Sequence, residues 1–528
     1  MTNQSNPLND EFNQLVHEQL NLWHVPGLSV AVVDGDQTWA KGYGVATLPS
    51  TPVTPSTLFY AGSTTKAFTA AIMAMLVEDN DAYPQVQWET PISQLIRDDF
   101  VLASEDVTQK VTVEDALSHR TGLPRHDLAL GSTICSDKTA VRDIVRQLRH
   151  LPLTAELRTR FQYNNAMFIV AAHVIETVTG EPLGELLARR IWGPLGMSET
   201  YFSLDEARGP NDENPLARGY AYNYIDDDGT YRTVEWMPPA GTSGAGGVIS
   251  SVSDYAKWAR ALLTGSPALF ASPNMVREQL WRPRTHLPVE RCGSAFTGPG
   301  SYALGWQTGV YRGLEFFEHQ GGMNAFGAEL ILIPELQYAV VALGNTAGTS
   351  NCAEQTLVFH LIDKKLGVRP GQPRFDWDAK NLAAIERGRR DVATAVSRFY
   401  PSLPSPPLPT TLPLSLYTGA YFHPGYGSVT IYLDHVRPSS ESTQSSRSSA
   451  ILRADRNQTT WPEILRFKHA SGDFFIAESE HDGDYGALYP SVYPVEFRIG
   501  AAGTVIAMGI GWEKEMEGKI WLDRVQKK

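Results

Sequence analysis

Cysteine is scarce in this sequence: Cys135, Cys292 and Cys352 are the only three in 528 residues. An odd number, far apart and without CxxC spacing, excludes a disulfide framework and a thiolate zinc site, and predicts free thiols in a reducing compartment. HExxH is absent too. No run approaches the roughly 18–20 apolar residues that a membrane span needs, so no membrane partner is expected. The start, "MTNQSNPLNDEFNQLVHEQLNLW", has no basic stretch leading into an apolar core, which is what a secretory signal requires. A cytoplasmic location is the expectation. Positive charge is in deficit, with 45 Lys and Arg against 58 Asp and Glu and a net charge of −13. That balance argues against nucleic acid as a partner, because a phosphate backbone is held by clustered cations.

What is present reads as folded chain. Hydrophobic residues make up 42% and charged residues 20%, and 528 residues exceed what one core usually serves. Residues 10 to 23 carry Phe12, Leu15, Val16, Leu22 and Trp23 at helical spacing, and "LSVAVVD" then reads as a strand. "DGD" at 34–36 is a hairpin turn and "TWAKGYGVA" the return strand. Far downstream, "GAELILIPELQYAVVALGN" predicts two more strands around Pro334 and Glu335. The fold class expected is α+β: one antiparallel sheet assembled from both ends, flanked by helices, with an all-helical region beside it. After residue 375 the composition changes. "AKNLAAIERGRRDVATAVSRFY" predicts a connecting helix, and "PSLPSPPLPTTLP" (401–413) a semi-rigid spacer. Short alternating segments follow, "GAYFHPGYGSVTIYLD", "DFFIAES", "VEFRIG", "GTVIAMGIGW" and "KIWLDRV", which predict a small all-β barrel. "RPSSESTQSSRSS" reads as a loop within it. The expected organisation is residues 1–375, then 376–413 as helix and linker, then 414–528 as barrel.

Three stretches carry the chemistry. In "FYAGSTTKAFTAAIMAML" Ser63 and Lys66 lie one helical turn apart at the head of an apolar run. A serine hydroxyl needs a base to take its proton, and lysine serves only where burial or neighbouring cations depress its pKa from about 10.4. The backbone N–H of Ser63, in the first turn, can face a developing oxyanion. In "FQYNNAMFIVAAHVIETVTG", Tyr163 and Asn165 precede an apolar helix ending at Gly180, and in an extended stretch they project together. Tyrosine can relay a proton and asparagine can orient the lysine and a substrate amide. In "FFEHQGGMNAFGAEL", Phe317, His319 and Gly321 share one face of a strand, while Gly321 and Gly322 allow close approach of a ligand. Each stretch taken singly also has a plain structural reading, as a capped helix, a packing tyrosine or a core histidine.

Together, in this order, they resemble the serine β-lactamase and penicillin-binding-protein superfamily, in its class C-like branch of esterases, transesterases and D-amino-acid peptidases. "GSTTK" is similar to the S-x-x-K motif, "YNN" to Y-x-N and "HQG" to the H-x-G form of the K-T-G strand. "ALSHRTGLPRHD", "WGPLGMSETYF", "GAGGVISSVSDYAKWARALL" and "YALGWQ" agree as well, over about residues 10 to 360. The resemblance implies a β-lactamase/transpeptidase-like domain over 1–375 and a lipocalin-like domain at the C-terminus. It implies Ser63, Lys66 and Tyr163 as catalytic residues and Asn165, His319, Gly321 and Gly322 as substrate-binding, with the Ser63 and Gly322 N–H groups forming the oxyanion hole. Neither cofactor nor metal is implied. The expected partner is a small-molecule ester, thioester or amide, hydrolysed or transferred through a Ser63 acyl-enzyme, and a homo-oligomer is compatible with it. His319 departs from the lysine of true β-lactamases, which removes a fixed counter-charge for a substrate carboxylate and shifts the expectation away from β-lactams. A D-aminopeptidase, an amidase or a β-lactamase-type hydrolase is the alternative, and a non-catalytic binding relative the second.

Other signals receive bland readings. "AGTSGAGG" around Ser243 fails the G-x-S-x-G elbow at Ala245 and reads as a glycine-rich loop lining the cleft. His119, His126 and Asp127 read as loop-stabilising residues. Asn457 to Thr459 is a glycosylation sequon without meaning in the cytosol.

Overall fold

The computed structural model describes residues 5–132, 139–210, 215–223, 229–238, 242–288, 296–369, 371–436, 449–481 and 491–526. At its centre is a nine-stranded antiparallel sheet that joins the two ends of the first region. Strand Gly27–Asp34 pairs with Gln37–Thr47 on one side and Tyr338–Gly344 on the other, and the order continues through Phe326–Ile333, Leu314–Met323 and Gln307–Tyr311. Every residue of the strands Gly27–Asp34, Phe326–Ile333 and Tyr338–Gly344 is buried. Period two explains how one strand serves two cores. Leu28, Val30 and Val32 face a cluster with Phe12, Val16 and Leu357, whereas Ala31 and Val33 face the cluster built around Phe68 and Trp258. Helices therefore cover both faces of the sheet, and each fully buried Val or Leu contributes about 1.5–3 kcal/mol.

The second cluster is the helical region. Helices Thr65–Glu78 and Asn165–Thr179 are apolar almost all round, which places them inside rather than on the surface. Asn164 caps the latter by accepting from the Met167 N–H, and Gly180, at φ 72°, ends it in the left-handed conformation that glycine adopts without penalty. The run "SGAG" proves to be a four-residue helix, Ser243–Gly246, rather than the loop expected from its glycines. It wedges between the two long helices: a Cβ on Gly244 would stand 2.9 Å from Thr69 Oγ1 and 3.0 Å from the Phe168 carbonyl oxygen. Among the described residues no single helix is long and apolar enough to cross a membrane.

Helices Trp377–Ala393 and Ala395–Phe399 lead to a closed eight-stranded antiparallel barrel in sequential order, from Gly419–His423 to Ile520–Arg524. The proline-rich run lies on that barrel, since the Leu408 N–H donates to Ser471 Oγ at 3.0 Å and the Thr411 hydroxyl to Asp473 Oδ2 at 2.7 Å. Two barrel strands, Ser449–Arg456 and Glu463–Ser471, are absent from the sequence reading. Leu452, Ala454, Leu465 and Phe467 alternate inward, but two inward positions carry the charges Arg456 and Glu463, which are satisfied by pairing with each other inside the barrel. The low-complexity run lies outside the described residues except for Ser449, as do Cys135 and Cys292, while Cys352 is a buried free thiol.

Candidate active site

Gly62–Thr64 forms one 3-10 turn that feeds helix Thr65–Glu78, so Ser63 sits in the turn and Lys66 is the second residue of the helix. Gly62 has φ +51°, and a Cβ there would stand 2.6 Å from the Gly322 N. A Cβ on Gly321 would reach 2.1 Å from the Ala61 carbonyl oxygen. Glycine at these positions lets the edge of strand Leu314–Met323 press against the turn, and this brings Gly322 beside Ser63.

Lys66 is fully buried, with Nζ 3.0 Å from Ser63 Oγ, 2.8 Å from Asn165 Oδ1 and 2.8 Å from the Ala245 carbonyl oxygen. Burial drives its pKa well below the usual lysine range, the Arg125 cation pushes the same way, and Asp127 opposes. Burial and the Arg125 cation thus both favour the uncharged amine. A neutral amine has two N–H donors and one lone pair; two fixed acceptors take the donors, which leaves the lone pair for the Ser63 hydroxyl proton. The Tyr163 hydroxyl donates to Ser63 Oγ at 2.7 Å, and burial raises the pKa of this phenol. Two basic groups approach its ring, Lys66 Nζ at 4.9 Å and the Arg125 guanidinium at 4.8 Å from the centroid.

Asn165 is the first residue of its helix and follows the extended Asn164, which is why it projects with Tyr163. His319 is 2% exposed and lies in the same strand as Gly321 and Gly322. Its Nδ1 faces the Gln320 carbonyl oxygen at 2.6 Å, an acceptor only, so Nδ1 carries the proton and Nε2 accepts from the Tyr302 hydroxyl at 2.9 Å. This arrangement suits a neutral imidazole. Phe317, expected on the same face, stacks on Trp281 with ring centroids 4.3 Å apart and belongs to the core.

Three residues given a bland reading, or none, prove to surround the site: Asp127, Arg125 and His119. Asp127 accepts from Asn165 Nδ2 at 2.9 Å and pairs with Arg125 at 2.6 Å. The reading of Asp127 as a loop residue is therefore corrected: it orients the carboxamide that faces Lys66. His119 accepts from the Asn164 N–H at 3.1 Å, its ring lies 4.4 Å from that of Tyr163, and burial pushes its pKa well down. The run "SHRTGLPRHD" was the available signal, but its spacing alone does not say which side chains turn inward. His126 does hold a loop, against the barrel, through Tyr426 at 2.7 Å and the Pro152 carbonyl at 2.9 Å. Among the described residues no group of three or more His, Cys, Asp or Glu side chains could hold a metal ion.

The site opens into a cleft of about 660 Å³ lined by Ser63, Arg125, Tyr163, Asn165, His319 and Gly322, and by Trp461 from the barrel.

Comparison with known proteins fits this geometry. The Beta-lactamase family matches residues 12–361, and a domain of unknown function, DUF3471, matches 403–524. The unguisins hydrolase ungD' of Aspergillus campestris is 46% identical over 98% of this chain and 92% of its own length. The unguisins hydrolase ungD of Aspergillus violaceofuscus is also 46% identical, over 99% and 92%. Among solved structures, the octameric penicillin-binding protein homologue from Pyrococcus abyssi superposes with a TM-score of 0.59 at 20% identity, covering 97% of this chain and 99% of that one. The D-amino acid amidase from Ochrobactrum anthropi SV3 gives 0.54 at 24%, covering 68% of this chain and 100% of its own. These two likenesses are of fold. By the family match over more than half its length, and by relatives that align with nearly all of it, this chain belongs to the Beta-lactamase family.

Proposed function

We propose that the protein is a serine hydrolase that cleaves an amide or ester of a small molecule through a Ser63 acyl-enzyme. The observation that carries this is the buried Lys66 amine, 3.0 Å from Ser63 Oγ with its other two contacts already fixed. Ser63 Oγ bonds to the acyl carbon while the serine proton passes to Lys66. As the bond to the leaving group breaks, Tyr163 gives its proton to that group, and the Lys66 ammonium restores the phenol. Water then attacks the ester, and the same groups return the proton to Ser63. The N–H groups of Ser63 and Gly322 are assigned to the carbonyl oxygen, where each such donor is worth about 3–4 kcal/mol.

The names of the two Aspergillus relatives support hydrolysis over acyl transfer and make unguisins the first substrates to try. His319, in place of a lysine and arranged as a neutral imidazole, favours an uncharged group at that end of the cleft over a carboxylate. Two experiments test the reading. Treatment with a fluorophosphonate should add one adduct by intact mass to the native protein and none to Ser63→Ala. Incubation with unguisins should consume them with the native protein only. No adduct, or the same adduct on Ser63→Ala, refutes the assignment.

A further inference from the structure

Ser63 stands where two spaces of very different size meet. One is the main cleft of about 660 Å³, which Tyr163 lines. The other is a niche of about 20 Å³ walled chiefly by Leu130, Ile169, Ala245, Gly246, Met323 and Trp461. A space of that size holds one water-sized or methyl-sized group, and the apolar wall selects the methyl.

Trp461 is supplied by the barrel, in the turn between strands Ser449–Arg456 and Glu463–Ser471. The turn is fastened to the helical region. The Thr460 N–H donates to the Leu130 carbonyl at 2.9 Å and Arg456 Nη2 to the Leu128 carbonyl at 2.9 Å, while within the turn the Thr459 hydroxyl donates to the Trp461 carbonyl at 2.8 Å. Gly131, at φ +82°, permits the contact, since a Cβ there would lie 2.6 Å from the Thr460 N. Trp461 is thus a fixed wall of the niche. Tyr163 decides which half of the substrate enters. The group it protonates leaves through the cleft that Tyr163 lines, so the substituent on the acyl carbon turns the other way, toward the niche.

We infer that the niche is the acyl-side-chain subsite, that Trp461 of the barrel sets its size limit, and that the substrate class is one with a methyl-sized acyl substituent and a large leaving half. This rests on the Ser63 acyl-enzyme reading above, and makes the barrel part of the specificity of the site.

The test holds the leaving group constant and varies the acyl chain, following p-nitrophenolate release from the acetate, propionate, butyrate and hexanoate esters. With the native protein, kcat/KM should fall at least about tenfold from acetate to butyrate, since a misfit methylene costs about 10-fold or more. Trp461→Ala should raise the hexanoate-to-acetate ratio by about tenfold, and Trp461→Phe by less. Gly246→Ala should lower the propionate-to-acetate ratio, because its new Cβ meets Met323 Sδ at an ordinary 3.4 Å and occupies the niche without a clash. These ratios do not depend on the fraction of protein that folds. A flat chain-length profile, or ratios unchanged in Trp461→Ala, overturns the subsite while a fluorophosphonate adduct on Ser63 keeps the hydrolase reading. No acetate turnover in protein that still takes the adduct also overturns the subsite. No turnover and no adduct overturns both.

Discussion

Asn165 donates from Nδ2 to Asp127 Oδ1 at 2.9 Å, and this bond decides which end of the carboxamide faces the active-site amine. With Nδ2 so engaged, Oδ1 accepts from Lys66 at 2.8 Å. Were the amide reversed, two donors would oppose each other and the lysine lone pair would lose its direction toward Ser63. Asp127→Ala should therefore lower kcat by about tenfold to a hundredfold, the range for misplaced catalytic groups. Asp127→Asn, which keeps an acceptor, should recover part of the loss. Steady-state kinetics at fixed pH check this, and equal activities for both variants would count against a positioning role.

The charge neighbours of Lys66 predict opposite pH shifts. The working form is the free amine, so kcat/KM falls as pH drops through the Lys66 pKa. Arg125 depresses that pKa and Asp127 raises it. Arg125→Gln should move the acid limb of the kcat/KM profile to higher pH, and Asp127→Ala should move it lower. Shifts in the same direction would show that the limb belongs to another group.

Tyr163→Phe separates leaving groups by their need for a proton. The phenol lies 2.7 Å from Ser63 Oγ, within reach of the departing atom. An amine must be protonated to leave, whereas p-nitrophenolate need not be. The variant should lose about a hundredfold or more on an anilide and markedly less on a p-nitrophenyl ester of the same acyl group. Equal losses on both would assign Tyr163 to orienting Ser63 instead.

Arg456, which ties the barrel to the helical region, also forms a buried ion pair with Glu463 of the next barrel strand, and the loss of that pair should register as stability. Arg456 and Glu463 are 1% and 0% exposed, and Arg456 also donates to the Leu128 and Tyr426 carbonyls. Arg456→Ala strands a buried carboxylate and should cost about 3–5 kcal/mol. Arg456→Met combined with Glu463→Leu removes both charges and should cost less. Midpoints of denaturant unfolding give the comparison, and a double variant no better than the single would show that the carbonyl contacts matter more than the charge.

Local pattern carried much of this molecule. Continuous apolar runs such as "LSVAVVD" and "AELILI" are legible because strands buried on both faces have no polar side to hide them. The helix of Lys66 and that ending at Gly180 are legible for the same reason. The strands of Arg456 and Glu463 are not, because these charges stand at inward positions and find each other only inside a barrel whose neighbours the sequence does not reveal. The short helix at Ser243 is hidden differently: its glycines read as loop, yet they serve close packing between two helices.

Spacing within one turn or one strand placed Ser63 three residues before Lys66, Asn165 two after Tyr163, and Gly321 two after His319, and that much the chain determined by itself. Tertiary structure decided that Lys66 is buried with its pKa depressed, that Asp127 turns the Asn165 amide, and that Trp461 from the far barrel closes one side of the site. The division has a physical cause. Backbone geometry fixes the relative direction of near neighbours, whereas desolvation, charge coupling and cavity shape depend on groups distant in the chain that meet only when it folds.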